Sequence, residues 1–145
     1  MKTWNSPTYQ QVERAALRIA KEHGASEIEP FHMLAALLES NAPGSDHVLN
    51  CLGADKATMQ HECSSILRNW SAATSQNDAD PQHSEAMYMV ATKAIQIAHS
   101  LKRPDVSTEH LLYALTAEIR EIPAIYLSNK GVTNQRVRMC ITSHF

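Results

Sequence analysis

Two histidines and two cysteines are spaced in a way that suits metal binding or thiol chemistry. His47 and Cys51 are four residues apart, about one helical turn, and His61 and Cys63 follow further along the chain. Zinc prefers imidazole and thiolate ligands, and a structural zinc site needs four of them to converge. Cys63 as a nucleophile needs an activating base, but His61, two residues away, would point elsewhere on a helix. We therefore keep a small zinc or thiol enzyme as a hypothesis and assign no metal ligand.

Two pairs of carboxylates offer acid–base chemistry. Glu27 lies two residues before Glu29, and Asp105 lies four residues before Glu109. Acidic residues collect at helix N-termini because they complement the helix dipole, which accounts for both pairs without catalysis. The loop that cradles phosphate in ATPases is missing, since none of the four glycines is followed by a lysine. The sequence therefore predicts a protein that is not an enzyme and holds no cofactor and no metal.

Composition narrows the class of protein further. The chain has 145 residues, 43% of them hydrophobic, and a net charge of −2, which is typical of one globular domain and lacks the excess of basic residues seen in nucleic-acid-binding domains. The longest apolar run, within residues 31–38, is far shorter than the ~20 residues that span a bilayer. There is no apolar segment at the N-terminus, and the three cysteines form no CxxC pair. We expect no membrane and no nucleic-acid partner, no secretory signal, and a cytoplasmic location with reduced thiols.

The chain contains an internal repeat. Shifting the sequence on itself by 78 residues aligns eleven identical residues between positions 6 and 53, where unrelated sequences would give about three at average residue usage. The identical pairs are spread over the whole span and include Ser6 with Ser84, His32 with His110, and Gly53 with Gly131. One ungapped offset over this length indicates a tandem repeat of one unit.

Each repeat is predicted to contain four helices, which gives an all-α fold of about eight helices. Apolar residues recur at helical spacing in the first helix and in its counterpart 78 residues later. Ser6 followed by Pro7 predicts the start of the first helix, and Gly24 its end. The second helices are predicted to begin near Pro30 and Thr108, and the fourth to cover about 56–70 and 134 to the C-terminus.

The repeats are predicted to form a single domain over residues 1–145. Repeat one covers 6–70, a solvated connector covers 71–83, and repeat two covers 84–145. Either repeat alone, at about 70 residues, would have a marginal core. We therefore predict a pseudo-two-fold bundle in which both repeats share one core.

Two smaller expectations concern particular side chains. His32 and His110 are each expected in the first turn of a helix, satisfying a local hydrogen bond rather than acting in catalysis. Met87, Tyr88 and Met89 are expected to be core residues rather than an adaptable binding surface.

Two segments resemble the Clp repeat of the AAA+ unfoldases. Residues 28–39 are Ile-Glu-Pro-Phe-His-Met-Leu-Ala-Ala-Leu-Leu-Glu, and residues 106–115 are Val-Ser-Thr-Glu-His-Leu-Leu-Tyr-Ala-Leu. In that family two such repeats form the N-terminal domain of ClpA, ClpB and ClpC, and the first segment is closest to the ClpB form. The resemblance covers about residues 6–144. It implies an all-α domain of about eight helices that binds unfolded or marked substrates, adaptors, or the protease machinery.

The resemblance also implies binding positions. In ClpC-like domains the Thr-Glu pair of each repeat, with a helix-capping hydroxyl from the same repeat, forms a pocket for phosphorylated arginine. Thr108, Glu109 and Ser84 match those positions in the second repeat. In the first repeat Ser6 matches, but proline and phenylalanine replace the Thr-Glu pair, so the carboxylate that would pair with a guanidinium is missing. We expect Phe31 to favour hydrophobic peptide or helix contact. The predicted protein-binding residues are Ser6, Phe31, Ser84, Thr108 and Glu109.

The main hypothesis is a non-catalytic protein-binding module of the Clp chaperone and protease system. It would recognise a substrate protein, an adaptor, the Clp ATPase or a ClpP-type protease through the surface around the starts of the first two helices of each repeat. The chain is then either the N-terminal domain of a longer ATPase-bearing protein or a stand-alone accessory regulator that docks on the protease or the unfoldase. The zinc or thiol enzyme is the less favoured hypothesis of a different class.

Overall fold

Helices dominate the part of the chain that the structure, a computed structural model, describes: residues 4–70 and 80–144. Eight helices lie within these ranges, which confirms the all-α prediction. In chain order they are α1 (Pro7–Glu22), α2 (Pro30–Glu39), α3 (Pro43–Cys51), α4 (Lys56–Trp70), α5 (Glu85–Ser100), α6 (Thr108–Ala117), α7 (Ile122–Asn129) and α8 (Asn134–His144).

The helix boundaries repeat at the offset found in the sequence. Pro7 at the start of α1 falls on Glu85 at the start of α5, and α2 falls on α6 in the same way. Ser6 caps α1 by accepting a hydrogen bond from the Tyr9 N–H at 3.2 Å, and Ser84 caps α5 by accepting one from the Met87 N–H at 3.0 Å. The capping hydroxyl satisfies a backbone donor that has no partner within the helix, which explains why both helices begin there.

Four two-residue strands link the repeats crosswise. They are β1 (Trp4–Asn5), β2 (Glu27–Ile28), β3 (Gln82–His83) and β4 (Asp105–Val106). β1 pairs in parallel with β4, and β2 pairs in parallel with β3. Each ladder therefore joins the segment before the first helix of one repeat to the segment before the second helix of the other. Residues 71–79 of the predicted connector lie outside the described residues, and Gln82–His83, also assigned to the connector, form β3.

The core is built around the second helix of each repeat. Every residue of α2 from Pro30 to Leu38 is buried, and in α6 only Tyr113 and Ala117 are partly exposed. α2 packs against α1, α4, α6 and α7, while α6 packs against α5, α8 and α3. Buried residues of both repeats belong to a single hydrophobic cluster. The predicted pseudo-two-fold bundle with one shared core is therefore confirmed.

Candidate protein-binding site

All five residues predicted to bind protein are buried. Their exposed fractions are 6% for Ser6, 1% for Phe31, 5% for Ser84, 0% for Thr108 and 7% for Glu109. Side chains with so little accessible surface have almost nothing to offer a partner directly. They lie around the starts of α1, α2, α5 and α6, so any binding surface there is formed by their exposed neighbours.

The strand ladders place each capping serine beside the other repeat. The Ser84 N–H donates to the Ile28 carbonyl at 3.1 Å, and the Ser6 N–H donates to the Val106 carbonyl at 2.8 Å. Burial raises the pKa of the Glu29 carboxyl group, and the neighbouring Ser84 hydroxyl opposes that shift. The resemblance had grouped the hydroxyl with the Thr-Glu pair of its own repeat. The structure corrects that grouping, because strand pairing brings the start of α5 to the start of α2.

Thr108 and Glu109 face the start of α3 in the other repeat. The Ser45 N–H donates to Thr108 Oγ1 at 3.0 Å. Gly44 leaves the space that the Glu109 carboxyl group occupies, since a Cβ at Gly44 would overlap Glu109 Oε2. Within the part of the chain that the structure describes, this buried oxygen has no hydrogen-bond partner. The pair is therefore part of a tight contact between the repeats.

Phe31, which corresponds to Glu109 at the repeat offset, forms an aromatic cluster with Trp70 and Tyr126. Its ring centroid lies 5.1 Å from that of Trp70 in α4 and 6.3 Å from that of Tyr126 in α7. The Tyr126 ring meets Phe31 edge-on, a favourable arrangement for the two ring quadrupoles. An aromatic cluster thus stabilises this contact between the repeats. The pseudo-equivalent contact instead places the Glu109 carboxyl group beside Gly44.

The two recurring histidines make the expected local hydrogen bonds. His32 Nδ1 accepts from the Glu29 N–H at 2.9 Å, and His110 Nδ1 accepts from the Ser107 N–H at 2.9 Å. Burial lowers the pKa of His32 to about 4. Burial also lowers the pKa of His110, although the nearby Glu109 acts in the opposite direction. Both rings are therefore neutral at pH 7, with the proton on Nε2, and each serves to start its helix.

The residues considered for zinc or thiol chemistry, His47, Cys51, His61 and Cys63, do not form a reactive centre. Cys63 is fully buried in α4, and burial raises the pKa of its thiol to about 12. Its nucleophilic thiolate form is therefore scarce at neutral pH. Among residues 4–70 and 80–144, no three His, Cys, Asp or Glu side chains are placed to hold a metal ion.

An open cavity of about 540 Å³ lies where the starts of α1, α2 and α5 meet. Its apolar lining comes from Leu17, Ile28 and Tyr88, and its polar lining includes Gln10, Glu13 and His83. Burial raises the pKa of Glu13, and the nearby His83 opposes that shift. The cavity combines an apolar surface with hydrogen-bonding groups at its rim, which is the general character of a ligand-binding cleft.

Tyr88 and Met89 are exposed, which shows that the prediction of a core role for them is wrong. Tyr88 is 69% exposed and Met89 51%, whereas Met87 is buried as expected. The reason is the phase of α5, whose buried face is set by Met87, Val90 and Ala94. At about 100° per residue, positions 88 and 89 lie on the outward side. Tyr88 therefore stands at the rim of the cavity.

The described helices also bear on membrane insertion. No helix within residues 4–70 and 80–144 is both long and apolar enough to cross a bilayer.

Fold and surface together define a class of protein: an all-α domain of two crossed four-helix repeats, with a partly apolar cleft between their first helices. Residues 5–130 match the family model described as "Clp repeat (R) N-terminal domain". The chain belongs to this family, as the resemblance of residues 28–39 and 106–115 predicted.

Relatives in the family are chaperones of the ClpB type. The chain is 32% identical over 139 residues to the chaperone protein ClpB of Mycobacterium bovis, which covers 95% of this chain and 16% of that protein. It is 34% identical over 119 residues to ClpB of Propionibacterium freudenreichii, which covers 82% of this chain and 14% of that protein. The chain thus spans about one sixth of the length of these relatives.

Solved N-domains share the fold. The Hsp104 N-terminal domain from Candida albicans superposes with a TM-score of 0.76 at 17% identity, covering 96% of this chain and 89% of that one. The N-domain of ClpV from Vibrio cholerae gives a TM-score of 0.76 at 16% identity, covering 97% and 84%. At such low identity the likeness extends to the arrangement of helices alone.

Proposed function

We propose that this chain is a non-catalytic protein-binding module of the Clp chaperone and protease system, and that it holds a peptide segment of a substrate or adaptor in the cleft between α1 and α5. The observation that carries the proposal is Tyr88, a large aromatic side chain left 69% exposed at the rim of the cavity. Aromatic side chains at the centre of an interface contribute disproportionately to binding energy.

The chemistry of the cleft favours a peptide with mixed side chains. Leu17 and Ile28 offer an apolar floor, Gln10 offers an amide, and Glu13 and Arg14 offer opposite charges. A partner segment with an apolar anchor flanked by polar groups would complement both the apolar and the polar residues of the cleft. The buried Ser6, Phe31 and Ser84 enter this proposal as positioning residues, because they lie at the starts of α1, α2 and α5, where the cleft is built. Thr108 and Glu109 position α6 against α3 instead.

Structural neighbours of the same fold support a peptide ligand. One is described as a complex of the ClpV N-domain with a VipB peptide, and it superposes with a TM-score of 0.69 at 16% identity. The partner here would belong to the same broad class, a short segment of another protein. A larger Clp ATPase and a ClpP-type protease are the assemblies on which such a module would act.

The proposal places the module in the cytoplasm and without catalytic activity. Its three cysteines are unpaired, which suits a reducing compartment. The alternative within the same class is a stand-alone accessory regulator that docks on the protease or the unfoldase. The two alternatives differ in partner. The peptide-binding module would bind unfolded peptides, whereas the accessory regulator would bind a folded Clp component and no unfolded peptide.

A peptide-binding assay tests the proposal. Fluorescently labelled peptides tiled along an unfolded model substrate such as casein are titrated with the purified chain, and affinity is read from fluorescence polarisation. We expect Tyr88→Ala to weaken binding about tenfold, since truncating an interface anchor costs roughly 1–2 kcal/mol. Tyr88 is exposed, so the variant should remain folded by circular dichroism.

The matched control is Met139→Ala, which removes an apolar side chain that is 60% exposed on α8, away from the residues that line the cleft. It should bind as the parent chain does. The proposal is wrong if no peptide binds at all, or if Tyr88→Ala keeps the parent affinity while Met139→Ala loses it.

A further inference from the structure

Two thiols from different repeats lie in contact on the side of the molecule formed by α3 and α8. Cys51 is the last residue of α3 in repeat one, and Cys140 lies in α8 of repeat two. α3 packs against α8, and Cys51 lies close enough to Cys140 for the two thiols to interact. Both cysteines are free; Cys51 is exposed, whereas Cys140 is only 4% exposed. One member of the pair therefore meets solvent and the other is shielded behind it.

The pseudo-two-fold relation gives this contact a counterpart of different chemistry. At the 78-residue offset Glu62 of α4 corresponds to Cys140 of α8. Glu62 joins the repeats by accepting a hydrogen bond from the Tyr126 hydroxyl at 2.6 Å and by pairing with Lys130 Nζ at 2.8 Å. One of the two pseudo-equivalent contacts between repeats thus has an ion pair and a hydrogen bond, and the other has a thiol pair.

We propose that Cys51 and Cys140 form a thiol modification site, at which a low-molecular-weight disulfide of the glutathione type converts the pair into a disulfide that covalently links the two repeats. The pair is not among the residues that line the α1–α5 cleft. The inference therefore stands independently of the proposed function.

The reaction proceeds by two thiol–disulfide exchanges. The Cys51 thiolate attacks one sulfur of the small disulfide, forming a mixed disulfide and releasing one small thiolate, which takes up a proton. Cys140 then loses its proton to solvent and attacks Cys51 Sγ, releasing the second small thiolate, which is protonated in turn. Two protein thiols are oxidised, and one small disulfide is reduced to two thiols. Exposure makes Cys51 the entry point, and burial raises the pKa of the Cys140 thiol, which disfavours a first attack by Cys140.

The test treats the purified full chain with oxidised glutathione and then counts thiols after denaturation. We expect the count to fall from three to one, with no glutathione retained in the intact mass and with Cys51 linked to Cys140 in the peptide map. The thermal midpoint should rise by roughly 5–10 °C, because the link closes a long loop. Dithiothreitol should reverse both changes.

Single substitutions separate this outcome from ordinary oxidation. Cys51→Ser alters an exposed position, so the chain should fold, form no link and show no rise in thermal midpoint. Cys63→Ala removes the third thiol, and after denaturation its thiol count should fall from two to zero. A stable glutathione adduct on Cys51 without the internal link would overturn the proposal. So would a dimer joined through Cys51, or an unchanged thiol count.

Discussion

Lys102 is a residue that its backbone conformation does not suit. It follows α5 with φ of 58°, in the left-handed region. At the repeat offset its counterpart is Gly24, which follows α1 with φ of 67°. The two positions end equivalent helices in the same way, and glycine adopts this conformation without the clash that a Cβ brings. Repeat two therefore carries a strain that repeat one avoids.

Replacing Lys102 with glycine should stabilise the protein. Relief of the left-handed strain is worth about 1–2 kcal/mol, and the added freedom of the unfolded chain offsets about 0.4–1 kcal/mol of it. We expect a net gain of roughly 0.5–1 kcal/mol in the free energy of unfolding, measured by urea denaturation. Lys102→Ala is the control, because it removes the same side chain and keeps the Cβ. Equal stabilisation by both variants would show that the backbone is not the cause.

At the scale of elements, the contact between α3 and α6 depends on the smallest side chain at its centre. Gly44 sits against the Glu109 carboxyl group, and Thr108 accepts a hydrogen bond from the next residue of α3. The Glu109 side chain is only 7% exposed and Thr108 Oγ1 lies beside the same position, so an added methyl group forces the buried carboxyl group to shift.

Gly44→Ala should therefore destabilise the protein by about 1–3 kcal/mol, the usual cost of overpacking a buried contact. Thermal or urea unfolding measures the change. Asn50→Ala, on the exposed side of the same helix, should change stability by less than about 0.5 kcal/mol. Shortening Glu109 to alanine in the Gly44→Ala background should recover much of the loss. If the two substitutions are simply additive, the contact is not where the strain arises.

Helices were predictable from the sequence because their signals are local. Ser6, Pro7 and Gly24 lie within or beside the helix that they delimit, and α4 has the predicted bounds of 56–70. The strands were missed because two residues carry no periodicity. Their pairing is also non-local, since Glu27 aligns with Gln82 of the other repeat. That pairing decides which serine meets which helix start, so the grouping of the motif residues was missed with it.

The candidate site was predicted less well than the fold, for a related reason. Residues that recur between repeats, such as Ser6 and Ser84, do so because each caps a helix in a shared packing arrangement, and all five predicted residues are buried. Tyr88 corresponds to Gln10 at the repeat offset, so the comparison of the two repeats did not indicate Tyr88 as a binding residue. The available signal was helical phase. Met87, Val90 and Ala94 fix the inward face of α5 and leave Tyr88 outside.

At the scale of the whole molecule, neither repeat buries all of its apolar surface by itself, because buried residues of both repeats belong to one hydrophobic cluster. The fragments 1–70 and 80–145 should each show little helical circular dichroism alone, because each exposes its half of the shared core. Mixing them in equal amounts should restore the helical signal, with a thermal midpoint that rises with concentration. A fragment that melts cooperatively by itself would contradict the shared-core interpretation.

The ladders β1–β4 and β2–β3 are related by the pseudo-two-fold axis. In each of them the strand before the first helix of one repeat pairs with the strand before the second helix of the other. In an oligomer such an arrangement would be called isologous: the patch of one subunit meets the identical patch of its twin. Here the two repeats are consecutive in one polypeptide, so their association is intramolecular. A short linker gives each repeat an effective concentration on the order of millimolar near the other. The fold therefore has the geometry of a symmetric homodimer whose halves cannot separate on dilution. Its two pseudo-equivalent contacts nevertheless differ, because one contains the Glu109 carboxylate and the other contains Phe31.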